Sequence, residues 1–419
     1  MSKTDSNPIF AVINQALSSL FTFGILILAS RTLPVNEFGI YSLLVVAMVI
    51  FSLAPQAFVL MPMMSMSKDF NTLKPQIYSN LFIFFIFLIV SLGLVVFLYY
   101  FNSSLVEKYV SLMPIIFWII SFQFHEFLKR ILYIGDMHKE TIFYEIVKAV
   151  CALVSLTFFF ILNEGLNIDD ILVGISVGYL CFSLVVIYKI DFFKIPTINP
   201  TNNFRKNYAF GKWIFLGNGI SYIQNNFFVY ITALLLTIET VAGLNAVRSL
   251  IGFSTVIFLA IDNYLAPKLA ATYQNEGLEP LISKVFSFYI RIGWLFAIVY
   301  IMIGLFSESL ITIIFGEIYA DSSIYLKYFL VASFLSFMVR PYLILSRTIH
   351  VTNIIFRGSI FPAIFAVIFS YPLIYIYDDM GALIMAVLGS LFLLMCTAFF
   401  FWNHKIKYLD NFDKKKEFN

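Results

Sequence analysis

Apolar runs long enough to cross a bilayer recur twelve times along the chain, separated by short polar connections. They lie at 9–30, 38–60, 78–101, 110–131, 141–162, 168–188, 208–236, 240–264, 285–306, 323–346, 354–377 and 381–402. A helix rising 1.5 Å per residue needs about 20 residues to cross a hydrocarbon core roughly 30 Å thick. No water is available there to satisfy backbone N–H and C=O groups, so each run must pair its own as a helix. The pattern predicts an all-α integral membrane protein with twelve transmembrane helices and almost no residues left for a soluble domain.

Composition agrees: of 419 residues, 61% are hydrophobic and 12% charged, with a mean hydropathy of +0.90. The net charge of +3 says little, but its distribution says more. With twelve helices, the connections and tails of one side, together with the helix-end residues Lys129, Arg130, Lys212 and Arg357, carry 20 Lys and Arg, and the connections of the other side have two, Arg31 and Lys108. Basic residues stay on the cytoplasmic side, so both termini are expected there. The same basic residues make anionic lipid headgroups natural partners. The short polar start, Met1 to Pro8, precedes no small-residue cleavage site, and the first apolar run is expected to be a retained helix. Cys151, Cys181 and Cys396 all fall inside apolar spans, where small core residues are expected rather than disulfides or metal ligands. There is no glycine-rich phosphate loop and no His/Cys/Asp cluster at metal spacing. No cofactor, metal, catalytic group or nucleic-acid partner is expected.

The longest hydrophilic connection, 189–207, divides the chain nearly in half. Across an offset of 205, Leu60 and Pro62 match Leu265 and Pro267, while Leu73, Pro75 and Ile77 match Leu278, Pro280 and Ile282. Asn14 and Gly39 match Asn218 and Gly243 at an offset of 204. These coincidences predict a six-helix half at 1–190, a cytoplasmic linker at 191–207, a second six-helix half at 208–403 and a basic tail at 404–419. Halves with an even helix count share one orientation, which suits a central cavity and alternating access.

The segment from Asn14 to Leu44 is a polar-flecked helix, then Ser30-Arg31-Thr32-Leu33-Pro34, then Glu37-Phe38-Gly39-Ile40-Tyr41-Ser42. It resembles the N-terminal signature of the bacterial polysaccharide transporter family. That family belongs to the multidrug/oligosaccharidyl-lipid/polysaccharide exporter superfamily. The helix count, the half repeat and the Leu310–Ala320 connection extend the likeness over the chain. The resemblance implies an inner-membrane flippase for undecaprenyl-diphosphate-linked oligosaccharide repeat units, serving O-antigen, capsule or exopolysaccharide synthesis. It also implies a polysaccharide polymerase and glycosyltransferases as candidate partners. Arg31, Glu37, Gly39 and Tyr41 carry the motif, and Gly39 has an ordinary physical role in close helix packing.

Ionisable residues deep in a bilayer are costly and face a partner, a cavity or water. The predicted spans contain Glu145, Lys148, Arg248, Arg291 and Arg340, a cationic excess suited to a diphosphate. Arg248, Arg340, Lys148 and Arg291 are the candidate substrate-binding cations. Lys148 also lies at i+3 from Glu145, so a local pair is open, and Arg291 can snorkel. Asn218, Ser221 and Asn225 share one face of the 208–236 span, placing Asn218 and Asn225 as candidate sugar contacts or helix ties. Candidate ion-coupling groups are Glu145, Asp262, Glu126 and His125. Glu126 reaches Lys129 and Arg130 at i+3 and i+4, which also reads as a salt-bridged surface helix end.

Two other functions compete. A multidrug or cation antiporter of the same superfamily shares the helical plan, but the first three spans hold no Asp or Glu and the cationic excess suits an anion. A membrane polysaccharide polymerase or ligase would need a large external loop, and the external connections are short. A transporter rather than an enzyme is expected.

Overall fold

A computed structural model describes residues 8–66, 77–101, 108–189, 200–349, 351 and 353–417, and every regular element among them is helical. The chain runs α1 (Pro8–Thr32), α2 (Val35–Pro55), a π-helical turn (Gln56–Leu60), α3 (Met61–Met66) and α4 (Ile77–Phe101). Next come α5 (Leu112–Ile134), α6 (His138–Leu162), α7 (Ile168–Lys189), α8 (Pro200–Leu235), α9 (Ile238–Glu276) and α10 (Leu278–Leu305). A short α11 (Ser307–Phe315) and a 3-10 turn (Glu317–Ser322) lead into α12 (Ser323–Thr348) and α13 (Asn353–Glu417).

Among the described residues, nine helical stretches are long and apolar enough to cross a membrane. The protein is therefore a multi-pass membrane protein. Two helices outside that set, α5 and α8, are long but flecked with polar residues such as Gln123, Glu126, Asn218 and Gln224. The expected spans 354–377 and 381–402 form one run, α13, broken at Asp378, whose backbone is non-helical (φ 51°, ψ −132°). Helix α8 starts at Pro200, inside the stretch expected to be linker; proline suits a first helical turn because its missing N–H would be unpaired there anyway. The basic residues Lys68, Lys74 and Lys194 lie outside the described residues.

By contacts the chain divides into two units, Met1–Gly219 and Ile220–Asn419. Lipid tails are as apolar as leucine, so close packing and polar pairs, rather than apolar burial, hold such helices together. In the first unit α6 and α7 meet through small residues. A Cβ on Gly178 would lie 2.6 Å from the carbonyl oxygen of Lys148 and 2.8 Å from the Ala152 Cβ. Glycine is required for that approach, which fixes the depth of Lys148 on α6.

Proline shapes α2. Pro55 cannot donate the backbone bond its position calls for, and the helix widens into the π turn that follows. In the second unit, Thr237 caps α9 by accepting from the Thr240 amide at 3.3 Å. Gly277, at φ 85°, makes the left-handed turn between α9 and α10. The buried core there stacks Phe296 (4.8 Å), Phe258 (5.1 Å) and Tyr289 (5.4 Å) around the Phe337 ring, by centroid distance.

Candidate functional site

In the second unit four helices bring polar groups to a cavity of about 300 Å³, with Ser390 coming from α13. Helix α8 contributes Gln224 and Asn225, α9 contributes Arg248 and Thr255, and α12 contributes Ser336 and Arg340. Arg248 sits ten residues, about 15 Å, along α9 from Ile238. Its Nη2 donates to the Asn226 Oδ1 at 2.8 Å and to the Asn225 carbonyl at 3.2 Å. Its Nη1 donates to the Asn245 Oδ1 at 3.4 Å, and the guanidinium lies 5.4 Å from the Phe228 ring centre. Every one of these acceptors is neutral. The charge is therefore oriented but, among the described residues, not neutralised.

Arg340 lines the same cavity in a different state. Its Nη1 lies 3.0 Å from Oδ2 of Asp262, whose Oδ1 accepts from the Tyr289 hydroxyl at 2.6 Å. Asp262 is buried, and the Phe258 ring lies 5.5 Å from the Arg340 guanidinium. The aromatic core thus holds a compensated ion pair at one edge of the cavity, and the amides of α8 and α9 hold an uncompensated cation at another. Asn225 is exposed, its Nδ2 turned back to the Ser221 carbonyl at 2.7 Å.

The first unit holds a buried charge cluster. Lys129 of α5 places Nζ 2.7 Å from Oε1 of Glu145 and donates to the Ser18 hydroxyl of α1. Lys148 pairs with the other oxygen of the same carboxylate. His125 Nε2 lies 3.5 Å from Glu145, and His125 Nδ1 lies 3.6 Å from Glu126, which also pairs with Arg130 at 3.5 Å. Two ammonium groups share one carboxylate, so the trio Lys129, Glu145 and Lys148 is cationic when both lysines are charged. The rings of Phe21 and Tyr179 face the Lys148 ammonium at 4.7 and 5.6 Å from their centres. This arrangement corrects the expectation for Lys129: it is buried against Glu145 across to α6, and does not terminate a surface salt bridge with Glu126.

Beside the cluster lies a second cavity of about 340 Å³, to which Glu126, Tyr41 and Tyr179 contribute. Other expected site residues lie apart. Arg291 is on an exposed face of α10, and Asn218 is half-buried on α8; neither lines a described cavity. In the N-terminal motif Arg31 is exposed at the end of α1 and Glu37 is half-buried in the first turn of α2. Gly39 and Tyr41 are buried, and of the four only Tyr41 reaches a cavity. Two residues not singled out in the sequence join the sites, Asn245 as a partner of Arg248 and Gln56, which the π turn carries to the first unit's cavity; Asn226, one of the polar residues of the 208–236 span, is the other side-chain partner of Arg248.

No protein-family model and no curated protein matches the sequence. Solved structures do. The chain is similar over 95% of its length to an inward-facing multidrug resistance MATE family transporter of the MOP superfamily, covering 98% of that chain at 13% identity and a TM-score of 0.73. It is similar over 94% of its length to the lipid II flippase MurJ in an inward closed conformation, covering 87% of that chain at 12% identity and a TM-score of 0.66. A MOP superfamily transporter from Pyrococcus furiosus, described as having a binding pocket of reverse polarity, matches 95% of this chain and 94% of its own at 14% identity and a TM-score of 0.61. The chain has the fold of MOP-superfamily transporters and flippases.

Proposed function

We propose that the protein is a flippase that moves undecaprenyl-diphosphate-linked oligosaccharide repeat units from the cytoplasmic to the periplasmic leaflet of the inner membrane, for assembly of surface polysaccharide. The observation that carries this reading is Arg248, a deep guanidinium held by neutral amides beside a cavity that also takes Arg340. A planar guanidinium matches two phosphate oxygens at once, and leaving it uncompensated in a low-dielectric site is costly unless an anion visits. Lys148 is already engaged by Glu145 and Arg291 lies on an exposed face, so Arg248 takes the diphosphate first, with Arg340, held by Asp262 until the anion competes for it, at the edge of the same cavity and Asn225 at the sugar side. The polyprenyl tail stays in lipid, which spares the cost of carrying a bare anion through hydrocarbon.

In this reading twelve helices form two halves that work by alternating access, with both termini cytoplasmic, as the charge asymmetry suggests. The cycle is driven by an ion gradient or by downstream polymerisation. Glu145, Glu126 and His125 are the coupling candidates in the first unit and Asp262 in the second. The product passes to a polysaccharide polymerase, and glycosyltransferases supply the substrate.

A second reading is supported by the higher of the two TM-scores, 0.73 against 0.66: a multidrug or cation antiporter. The uncompensated Arg248 argues against it, because a cationic drug would meet like charge. The two readings part in a strain lacking this gene. Complementation should restore surface polysaccharide and leave susceptibility to a panel of cationic drugs unchanged. Drug resistance without any effect on polysaccharide would replace the flippase by the antiporter.

A further inference from the structure

The cavity of the first unit is unlike that of the second: its wall mixes aromatic rings with aliphatic side chains such as Ile25, Val45, Met48 and Leu60, and among the described residues it carries no cation. Trp118 and Phe122 come from α5, Tyr41 from α2 and Tyr179 from α7, with the amides of Gln56 and Gln123 between them. At about 340 Å³ it falls at the lower end of the range of small-molecule sites, about 300–1,000 Å³. Several of its polar groups are idle. Among the described residues no hydrogen-bond partner meets the Tyr41 hydroxyl, the Tyr179 hydroxyl, the Trp118 Nε1 or the Gln56 side chain. Gln123 donates to the Phe51 carbonyl at 3.2 Å, which leaves its Oε1 unmatched at a buried position.

We propose that this cavity is a neutral glycosyl-binding subsite, taking a sugar ring of the transported headgroup; this rests on the flippase reading above. A pyranose offers both chemistries the walls ask for, an apolar C–H face for the indole and phenyl rings and a rim of hydroxyls for the idle donors and acceptors. Other occupants fit less well. A polyprenyl or acyl chain would leave the tyrosine, tryptophan and glutamine groups without partners, each at the cost of an unmade hydrogen bond. Among the described lining residues a cation would find only Glu126, whose carboxylate already pairs with Arg130, with Lys129 and Lys148 close behind. An anion would find no basic side chain among the described residues of the wall. The π turn after Pro55 fits the same picture, since it widens α2 where Gln56 enters the cavity.

Trp118 makes the subsite observable. The protein has four tryptophans, and the other three, Trp213, Trp294 and Trp402, are 61%, 71% and 39% exposed. The chain carrying W213F, W294F and W402F, in nanodiscs free of glycoside detergent, is titrated with neutral mono- and disaccharides, with farnesol and with inorganic pyrophosphate. The Trp118 emission should shift saturably with at least one neutral sugar and with neither farnesol nor pyrophosphate. Tyr179→Phe and Gln56→Leu should each weaken that sugar about three- to tenfold, the loss of one hydrogen bond. A response to farnesol alone would make the cavity a site for the lipid tail. No response to any sugar up to saturating solubility, in folded protein, would overturn the subsite. Calorimetry of the same nanodiscs with pyrophosphate, wild type against Arg248→Gln, reports separately on the second unit. Sugar binding without Arg248-dependent pyrophosphate binding would keep this subsite and remove the flippase reading's anion site. The reverse result would do the opposite.

Discussion

Arg248 donates from Nη2 to the Asn226 side-chain oxygen at 2.8 Å, and the two residues together fix a guanidinium on α9 without cancelling its charge. A carboxylate in place of Asn226 would make a structural ion pair, like that of Asp262 and Arg340. The amide instead orients the fork and leaves it available. Asn226→Asp should therefore impair surface polysaccharide formation while leaving the amount of protein in the membrane unchanged. Normal polysaccharide from this variant would mean that the charge of Arg248 is not used.

The Asp262–Arg340 pair makes a different prediction. Removing one member of a buried pair strands the other, at a cost of about 3–5 kcal/mol, whereas removing both can be nearly neutral. Arg340→Gln alone should lower thermal stability in nanodiscs, and the double variant with Asp262→Asn should recover much of the loss. Additive losses in the double-mutant cycle would show that the two side chains act independently.

Among the described residues of the first unit, Glu145 is the only carboxylate paired with both Lys129 and Lys148. Glu145→Gln leaves two buried ammonium groups unmatched and should destabilise the protein by about 3–5 kcal/mol, read as a fall in thermal midpoint. Adding Lys148→Met should restore part of it. Gly178→Leu should disturb the same cluster from the other side, because its side chain would collide with the backbone carrying Lys148.

The topology is tested by fusions. A reporter at Asn419 should be active in the cytoplasm and one near Asp378, where α13 breaks, in the periplasm. A periplasmic signal at Asn419 would overturn the orientation inferred from the basic residues.

Much of the helical pattern was legible because apolar length is a one-dimensional property: 141–162 and 168–188 lie within two or three residues of α6 and α7. Pairings were legible only where they are local. Glu145 and Lys148, three residues apart, could be read as partners, and so could Glu126 and Arg130. The contacts that define the sites join different helices, and hydropathy carries no record of which helix faces which. Lys129 therefore read as the end of a surface helix when its partner is on α6, and the bond from Arg340 to Asp262 spans 78 positions. Gln56 was invisible for another reason, since its placement depends on the π turn that follows Pro55.

The most direct test of the account uses purified protein in proteoliposomes with a fluorescently tagged undecaprenyl-diphosphate oligosaccharide. Flipping is read by the fraction of tag that a membrane-impermeant quencher can reach. Wild-type protein should equilibrate the tag across the bilayer. Arg248→Gln should slow this by about 30-fold or more, the loss of about 2 kcal/mol expected when a charged partner is truncated. Equal rates for wild type and Arg248→Gln, or no flipping by wild-type protein that transports a cationic drug in the same vesicles, would contradict the account.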